Sequence, residues 1–550
     1  MSESTTATYL GVRERWLTTG LLGIGLIVFA IEASVSSYTL PKIMTSLRVE
    51  LYQIHWVLTA FGIARTVIIP MLGWLSGRIG PRLLYILCLG TFCLGSLGSS
   101  LAWDWGSLLL FRVLAGLAGG LIQPLTMAIF YQIFPPSQRG MALAFSLIGW
   151  AVGPSIGSFL AGYVLEFASW RTAYAVVVPM GGLGSMTAWF LLPNLQQPDR
   201  RRLDQYGLLT MAVAITTLIL ALSQGNREGW DSQYILTLFA IAGVATVVFV
   251  IVELWNTEPL VELRLFCQPP FVMAAIVLFL STVAFRGTGP MMQVLMQSML
   301  GFAPLLVAWT QLPSNLTYGV GVLIVGRLSD RISPHFLILG GLFLYAWAFW
   351  VYAGVNELTT IPILITLLCL RFTGEACIGS PNNLIALRAL PDHQVMMAAG
   401  LLGLLRSIAA TVGMAFSAVF WDQRYQYHIR QYATDTPADH AGMTAAMDNV
   451  QEFLVWSGEI APLVPAKSMA LVHQRLLAEA GTAAWGDYFM LNTLLALAAI
   501  VPAFLANRRW WRRRGASSEP EAEKASTRPD SALVGEADRD EQSEVEQKAS

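Results

Sequence analysis

The chain has 550 residues, of which 55% are hydrophobic and only 13% charged, with a formal net charge of −1. Soluble domains carry roughly 25% charged residues, so this composition excludes an ordinary soluble globular protein. The few charges form no dense basic face outside short loops, which excludes nucleic acid as a partner.

Residues 1–15 are polar and read as a cytosolic N-terminus. The apolar run behind them is too long for a signal-peptide core and has no clear cleavage site, so it reads as a retained first helix. A bilayer core takes about 20 apolar residues per helix. Runs of that length fall at 16–39, 52–73, 83–102, 106–130, 140–163, 171–193, 205–223, 233–254, 271–297, 304–326, 335–355, 358–388, 397–420 and 487–507. They predict an all-α polytopic membrane protein of fourteen transmembrane helices. Between the last two runs lies a polar stretch, 422–486, expected to be an outer loop with short helices at Met443–Met447 and Leu471–Ala480. The end of the chain, 508–550, is charged and lacks aromatic residues beyond Arg514, and is expected to be a disordered cytosolic tail.

Fourteen spans put both termini on one side, and loop charge says which, because Lys and Arg collect in the cytosol. Loops on the side of the termini hold Arg78, Arg82, Arg139, Arg200, Arg201, Arg202, Arg264, Arg327, Arg331 and Arg388, and the tail adds Arg508, Arg509, Arg512, Arg513 and Arg514. The opposite short loops hold only Lys42, Arg48, Arg171 and Arg227. Both termini are therefore expected in the cytosol, with the chain in the inner membrane of a two-membrane source.

A loop signature occurs twice. Gly73-Trp-Leu-Ser-Gly-Arg-Ile-Gly follows the second span and Gly326-Arg-Leu-Ser-Asp-Arg-Ile-Ser follows the tenth. Repetition at equivalent places predicts two homologous halves, as in many secondary transporters. The expected organisation is a six-helix bundle at 16–193, a linker with two extra helices at 194–270, and a second six-helix bundle at 271–507.

Ionisable groups at membrane depth cost several kcal/mol unless paired or hydrated, so each is a functional candidate. The acids are Glu32 and Glu375; the bases are Arg65, Arg112, Arg286, Arg371 and Arg406. Glu32 and Arg112 fall at similar depth in the outer half, so they are expected either to form a fixed ion pair or to act together, Glu32 carrying an exchanged proton and Arg112 tuning it. Glu375 follows Arg371 by four residues, a spacing that favours a local ion pair; the other reading makes Glu375 a second proton carrier. Arg65 and Arg286 have no acid close in sequence. They either pair elsewhere or favour a substrate with a carboxylate or similar acidic group. Gln123, Gln293, Asn315, Trp309 and Arg371 complete the expected substrate cavity. Gly149, Gly153, Pro154 and Gly157 give the fifth helix one smooth face, either a hinge for alternating access or a tight packing seam.

Taken together these segments resemble the major facilitator superfamily, and within it the fourteen-helix drug:proton antiporters of the EmrB/QacA type. The stretch from Gly73 through Arg78 to Arg82 is similar to the superfamily's cytosolic gating motif, with Gly77 where an Asp is common; the second copy, with Gly326, Asp330 and Arg331, keeps the acid. Arg112-Val-Leu-Ala-Gly-Leu-Ala-Gly-Gly resembles the motif that carries the intramembrane Arg linked to proton coupling. Gly149-Trp-Ala-Val-Gly-Pro-Ser-Ile-Gly-Ser resembles the antiporter motif, with Ser158 in place of its last Gly. Ile31-Glu32 through Pro41 resembles the first-helix motif, with Glu for the usual Asp. The resemblance implies a proton-driven exporter of small organic molecules working by alternating access, not an enzyme, with no organic cofactor. An uptake symporter or uncoupled facilitator on the same fold is the alternative. In a two-membrane source it would further imply a periplasmic adaptor and an outer-membrane channel as partners. Neither a nucleotide-binding loop nor metal-ligand spacing occurs in the sequence, so neither ATP nor a metal is expected.

Overall fold

The computed structural model describes residues 11–505, apart from 50, 55, 193–203, 257, 258, 260, 357, 389, 391–393 and 436–440. The readings for residues 1–10, for Arg200 to Arg202 and for the tail from Arg508 onward lie outside the described residues. Everything regular among the described residues is helical.

The first bundle contains α1 (Val12–Leu47), α2 (Trp56–Ile79, with a 3-10 turn at Ile69–Met71), α3 (Pro81–Ser100), α4 (Trp105–Ile133), α5 (Arg139–Phe167) and α6 (Trp170–Leu191). Two inserted helices follow, α7 (Gln205–Glu228) and α8 (Gln233–Trp255). The second bundle contains α9 (Pro269–Val294), α10 (Pro304–Ser329), α11 (Pro334–Tyr352), α12 (Ile361–Arg388), α13 (Val395–Asp435) and, after the short outer helix α14 (Ala441–Trp456), α15 (Val464–Leu505). In hydrocarbon only a helix satisfies its own backbone within one segment, so apolar runs of this length have one stable form. Their ends are punctuated by the local chemistry that stops and starts helices. Pro81, Pro269, Pro304 and Pro334 occupy first turns, where no amide donor is missed. The very short turn between α3 and α4 is fixed by Asp104, whose Oδ1 accepts the Ser107 amide at 2.7 Å.

Thirteen helices among the described residues are long and apolar enough to cross a membrane. The expected fourteenth, α10, has the length but not the apolarity, because Gln311, Ser314, Asn315 and Thr317 interrupt it. Its position explains the polarity: α10 packs on α5 of the first bundle and α12 of the second, so its polar side meets protein. Of the inserted pair, α7 packs on α2 and α13, across the boundary between the bundles, while α8 packs mainly on α7 and presents an apolar surface outward.

The expected outer loop at 422–486 needs correction. The spans on either side of it continue as helix. α13 is 41 residues long and α15 is 42, about 60 Å each against a hydrocarbon core of about 30 Å. Each is therefore about twice as long as a span requires and extends past the hydrocarbon core on the side opposite the termini. The two helices are clasped by Asp487, which accepts Arg424 Nε at 2.6 Å and lies 2.7 Å from His428 Nε2. Trp421 stacks on Tyr425 and packs against Trp485 in the same region. The Met443–Met447 stretch is part of α14, whereas Leu471–Ala480 belongs to the α15 extension.

Candidate functional site

Close helix approach sets the position of the first acid. On α5, a Cβ at Gly149 would stand 2.7 Å from Leu26 Cβ, one at Gly153 would stand 2.3 Å from Ala30 Cβ, and one at Gly157 would stand 2.8 Å from Ile31 O. The three glycines thus lay α5 directly on the α1 backbone around Glu32. Pro154 lies inside the same helix, between them. On α4, Gly116 and Gly120 do the same against α2, where a Cβ would meet Phe61 O at 2.6 Å and Arg65 O at 2.4 Å. These seams press α1, α2, α4 and α5 together around Glu32 and Arg112.

Glu32 Oε1 accepts Arg112 Nη1, and both side chains have 0% exposure. Ser36 Oγ donates to the same carboxylate oxygen at 3.1 Å. The guanidinium lies over two rings, 4.6 Å from the Phe61 centroid and 5.3 Å from that of Tyr174. The other carboxylate oxygen, Oε2, has no hydrogen-bond partner, and neither do Arg112 Nε and Nη2. A buried ion pair that leaves one carboxylate oxygen and two guanidinium nitrogens without partners is costly to hold.

A second charged group lies at the boundary of the two bundles. Gln123 of α4, Arg286 of α9, Tyr318 of α10, Glu375 and Asn382 of α12 and Arg406 of α13 line a cavity of about 40 Å³. That volume holds about three waters and is far below the several hundred Å³ that organic ligands occupy. Arg286, Arg406 and Arg371 are all within electrostatic reach of Glu375, and Arg286 and Arg406 also act on Arg65. Arg406 Nη2 donates to Asn383 Oδ1 at 3.1 Å. Arg65 lies over the Phe29 ring at 5.0 Å.

The local pair expected between Arg371 and Glu375 is not formed. Arg371 instead stacks over Phe285 at 4.8 Å and Phe372 at 5.0 Å, and Glu375 Oε2 has no hydrogen-bond partner. The i, i+4 spacing brings the two backbones together, but the aromatic faces supplied by Phe285 and Phe372 attract the guanidinium away. Gln293 and Trp309, the latter 63% exposed, lie outside the cavity lining. Asn315 lies on the boundary itself, its Nδ2 donating to Ser155 Oγ of α5 at 3.1 Å. Arg406 is a lining group that sequence reasoning marked as an intramembrane base but did not place in the cavity.

The two loop signatures behave differently. In the second copy, Asp330 reaches across to the other bundle and caps α5. Its Oδ1 accepts the Gly140 amide at 2.7 Å and its Oδ2 the Met141 amide at 3.0 Å. Gly326 makes this approach possible, since a Cβ there would stand 2.3 Å from Ala144 Cβ. Arg331 follows Asp330 and is exposed. Ser380 Oγ donates to Gly140 O at 2.9 Å, adding a further link at the same place. In the first copy Gly77 supplies no carboxylate. Gly73 packs against Met397 at the start of α13, and Arg78 lies 5.7 Å from the Trp74 ring. The hydrogen bonds described between the bundles lie either near the midplane (Thr66 with Ser407, Asn315 with Ser155) or toward the face where the termini emerge.

Two helical bundles with ionisable groups along and between them define a multi-pass membrane transporter. The chain matches the family model described as Major Facilitator Superfamily over residues 22–414 and belongs to that family. It is 26% identical over 418 residues to the multidrug export protein EmrB of Escherichia coli K12, covering 74% of this chain and 81% of that one. It is 27% identical over 433 residues to the fatty acid resistance protein FarB of Neisseria gonorrhoeae, covering 77% and 84%. Among solved structures, the human organic anion transporter MFSD10 (TETRAN) has a similar fold, with a TM-score of 0.54 at 15% identity, over 88% of this chain and 100% of that one.

Proposed function

We propose that the chain is a proton-coupled exporter of small organic molecules, working by alternating access and preferring substrates that carry an acidic group. The observation that carries this reading is the boundary cavity, where Arg286 and Arg406 line the wall, Arg371 and Arg65 lie within electrostatic reach, and Glu375 is the single carboxylate of the lining. Such an excess of guanidinium in low dielectric attracts an anion. The relatives support export as the direction, since one is named for multidrug export and another for fatty acid resistance.

In this reading the halves are joined toward the termini and part there to admit substrate. Glu32 exchanges a proton at its unpartnered oxygen, and Arg112 holds the carboxylate in place and sets how readily the proton leaves. Glu375 answers to the substrate's charge, competing with it for Arg286 and Arg406. The loop-charge bias supports cytosolic termini. The extensions of α13 and α15 with α14 offer the outer surface on which a periplasmic adaptor would sit in a two-membrane source.

The test is proton flux in inside-out vesicles that hold an acidic interior. A long-chain fatty acid, a neutral drug and a cationic drug are added in turn. The fatty acid is expected to collapse the gradient, and Glu32→Gln is expected to abolish the response. A response to cationic drugs alone would remove the acidic preference. Full coupled transport in Glu32→Gln would remove the role given to Glu32.

A further inference from the structure

Where α1 enters the membrane, its first turns meet the α4–α5 turn and the end of α10 around a second cavity, of about 300 Å³. Its rim is cationic. Arg15 comes from α1 in the first bundle, and Arg327 and Arg331 come from the end of α10 in the second. Arg15 Nε is buried with no hydrogen-bond partner, and its Nη1 reaches Gln138 Oε1 only at 3.5 Å. Arg327 and Arg331 are exposed and, among the described residues, have no side-chain hydrogen bond or ion pair. The one acid in the lining, Asp330, already accepts the Gly140 and Met141 amides with its two oxygens.

The floor is aromatic. Trp16 is 48% exposed and stands edge-on to Phe134 and Phe145, with ring centroids 6.3 and 5.3 Å apart. Three arginines and a half-exposed indole lining one cavity at the ends of membrane spans match a molecule that is phosphoryl at one end and hydrocarbon at the other. Arginine binds phosphate oxygens in pairs, Trp favours the headgroup level, and basic pockets on this kind of face hold anionic headgroups.

We propose that this pocket binds the phosphoryl headgroup of an anionic phospholipid, held by Arg15 on one bundle and by Arg327 and Arg331 on the other. The bound lipid then joins the two halves next to the Asp330 cap and favours the conformation closed toward the termini. Inorganic phosphate offers the same anionic chemistry without the hydrocarbon, and the aromatic floor is what favours the lipid.

The experiment uses the full chain in an uncharged detergent and native mass spectrometry. The probes are short-chain phosphatidylglycerol, phosphatidylcholine with the same acyl chains, and inorganic phosphate alone. Phosphatidylglycerol is expected to bind at least tenfold more tightly than phosphatidylcholine. An arginine near such a headgroup contributes roughly a five-fold factor. Arg327→Gln/Arg331→Gln is therefore expected to lose most of the preference, Arg15→Gln part of it, and Trp16→Ala to weaken lipid binding only. Arg327 and Arg331 are exposed, so their double variant keeps the melting temperature of the lipid-free chain. Equal binding of the two lipids, or an unchanged preference in both arginine variants, overturns the proposal. Inorganic phosphate binding as tightly as phosphatidylglycerol, with Trp16→Ala indifferent, overturns the lipid assignment in favour of a soluble anion.

Discussion

Glu32 and Arg112 hold each other in a place water does not reach, and each is tolerable there only because of the other. Removing the base leaves a buried carboxylate without its partner, which costs about 3–5 kcal/mol. Arg112→Leu is thus expected to lower the melting temperature of the purified chain well below that of Glu32→Gln/Arg112→Leu, in which no lone charge remains. Equal melting of the two variants would show that the pair carries little of the fold. Both residues were legible in the sequence, because a charge inside an apolar run is conspicuous and helix rise gives its depth. The fate of Arg371 was not legible. Spacing along one helix pointed to Glu375, but the aromatic faces that hold the guanidinium include Phe285 from a different helix. Arg406 was visible as a base, yet its bond to Asn383 and its place in the cavity wall depend on how α13 meets α12 and α9.

Helix seams carry the next level. Gly153 leaves no room for a side chain against Ala30, and forcing one into a packed seam costs about 1–3 kcal/mol. Gly153→Val is expected to insert in the membrane and lose transport, because it displaces the α1 backbone that holds Glu32; flux and membrane abundance measured together check this. The Asp330 cap makes a different prediction. Burial holds this carboxyl above the usual carboxylate range, outweighing the two amide bonds and nearby Arg388. Burial thus weighs against the charged form where the cap is made, so its contribution to closure is present in full at low pH and weakens as pH rises through the raised value. Of the two acceptor oxygens the cap uses, Asn keeps one and Ala none. Asp330→Asn should therefore keep more of the closed state than Asp330→Ala, as read by cysteine accessibility at positions lining the termini-side entrance. Equal opening in both variants would locate the effect in the charge. The family resemblance implied a gating loop at Gly326 and Asp330, but the partner of Asp330 lies 190 residues away, beyond any local pattern. The outer helices escaped for another reason: a helix leaving the membrane becomes polar, with the composition of a loop.

At the level of the molecule, the proposed orientation with cytosolic termini rests on the loop-charge bias. A fluorescent domain fused after Ser550 is expected to be protected from external protease in intact cells, and cleavage from outside would reverse the assignment. Two bundles were legible from the repeated loop signature; their mutual contact was not, since it rests on small residues that carry no local signal of direction. The extensions of α13 and α15 add a mechanical consequence. Each is one continuous helix that starts or ends on the termini face of the second bundle and runs about 30 Å further than a hydrocarbon core requires, and Asp487 links the two. In the proposed alternating-access cycle, tilt of that bundle makes the linked pair a lever arm, and a small rotation in the bilayer becomes a sideways stroke at its tip. Anything resting on the tip would feel the transport cycle as displacement, with no signal passing through the lipid.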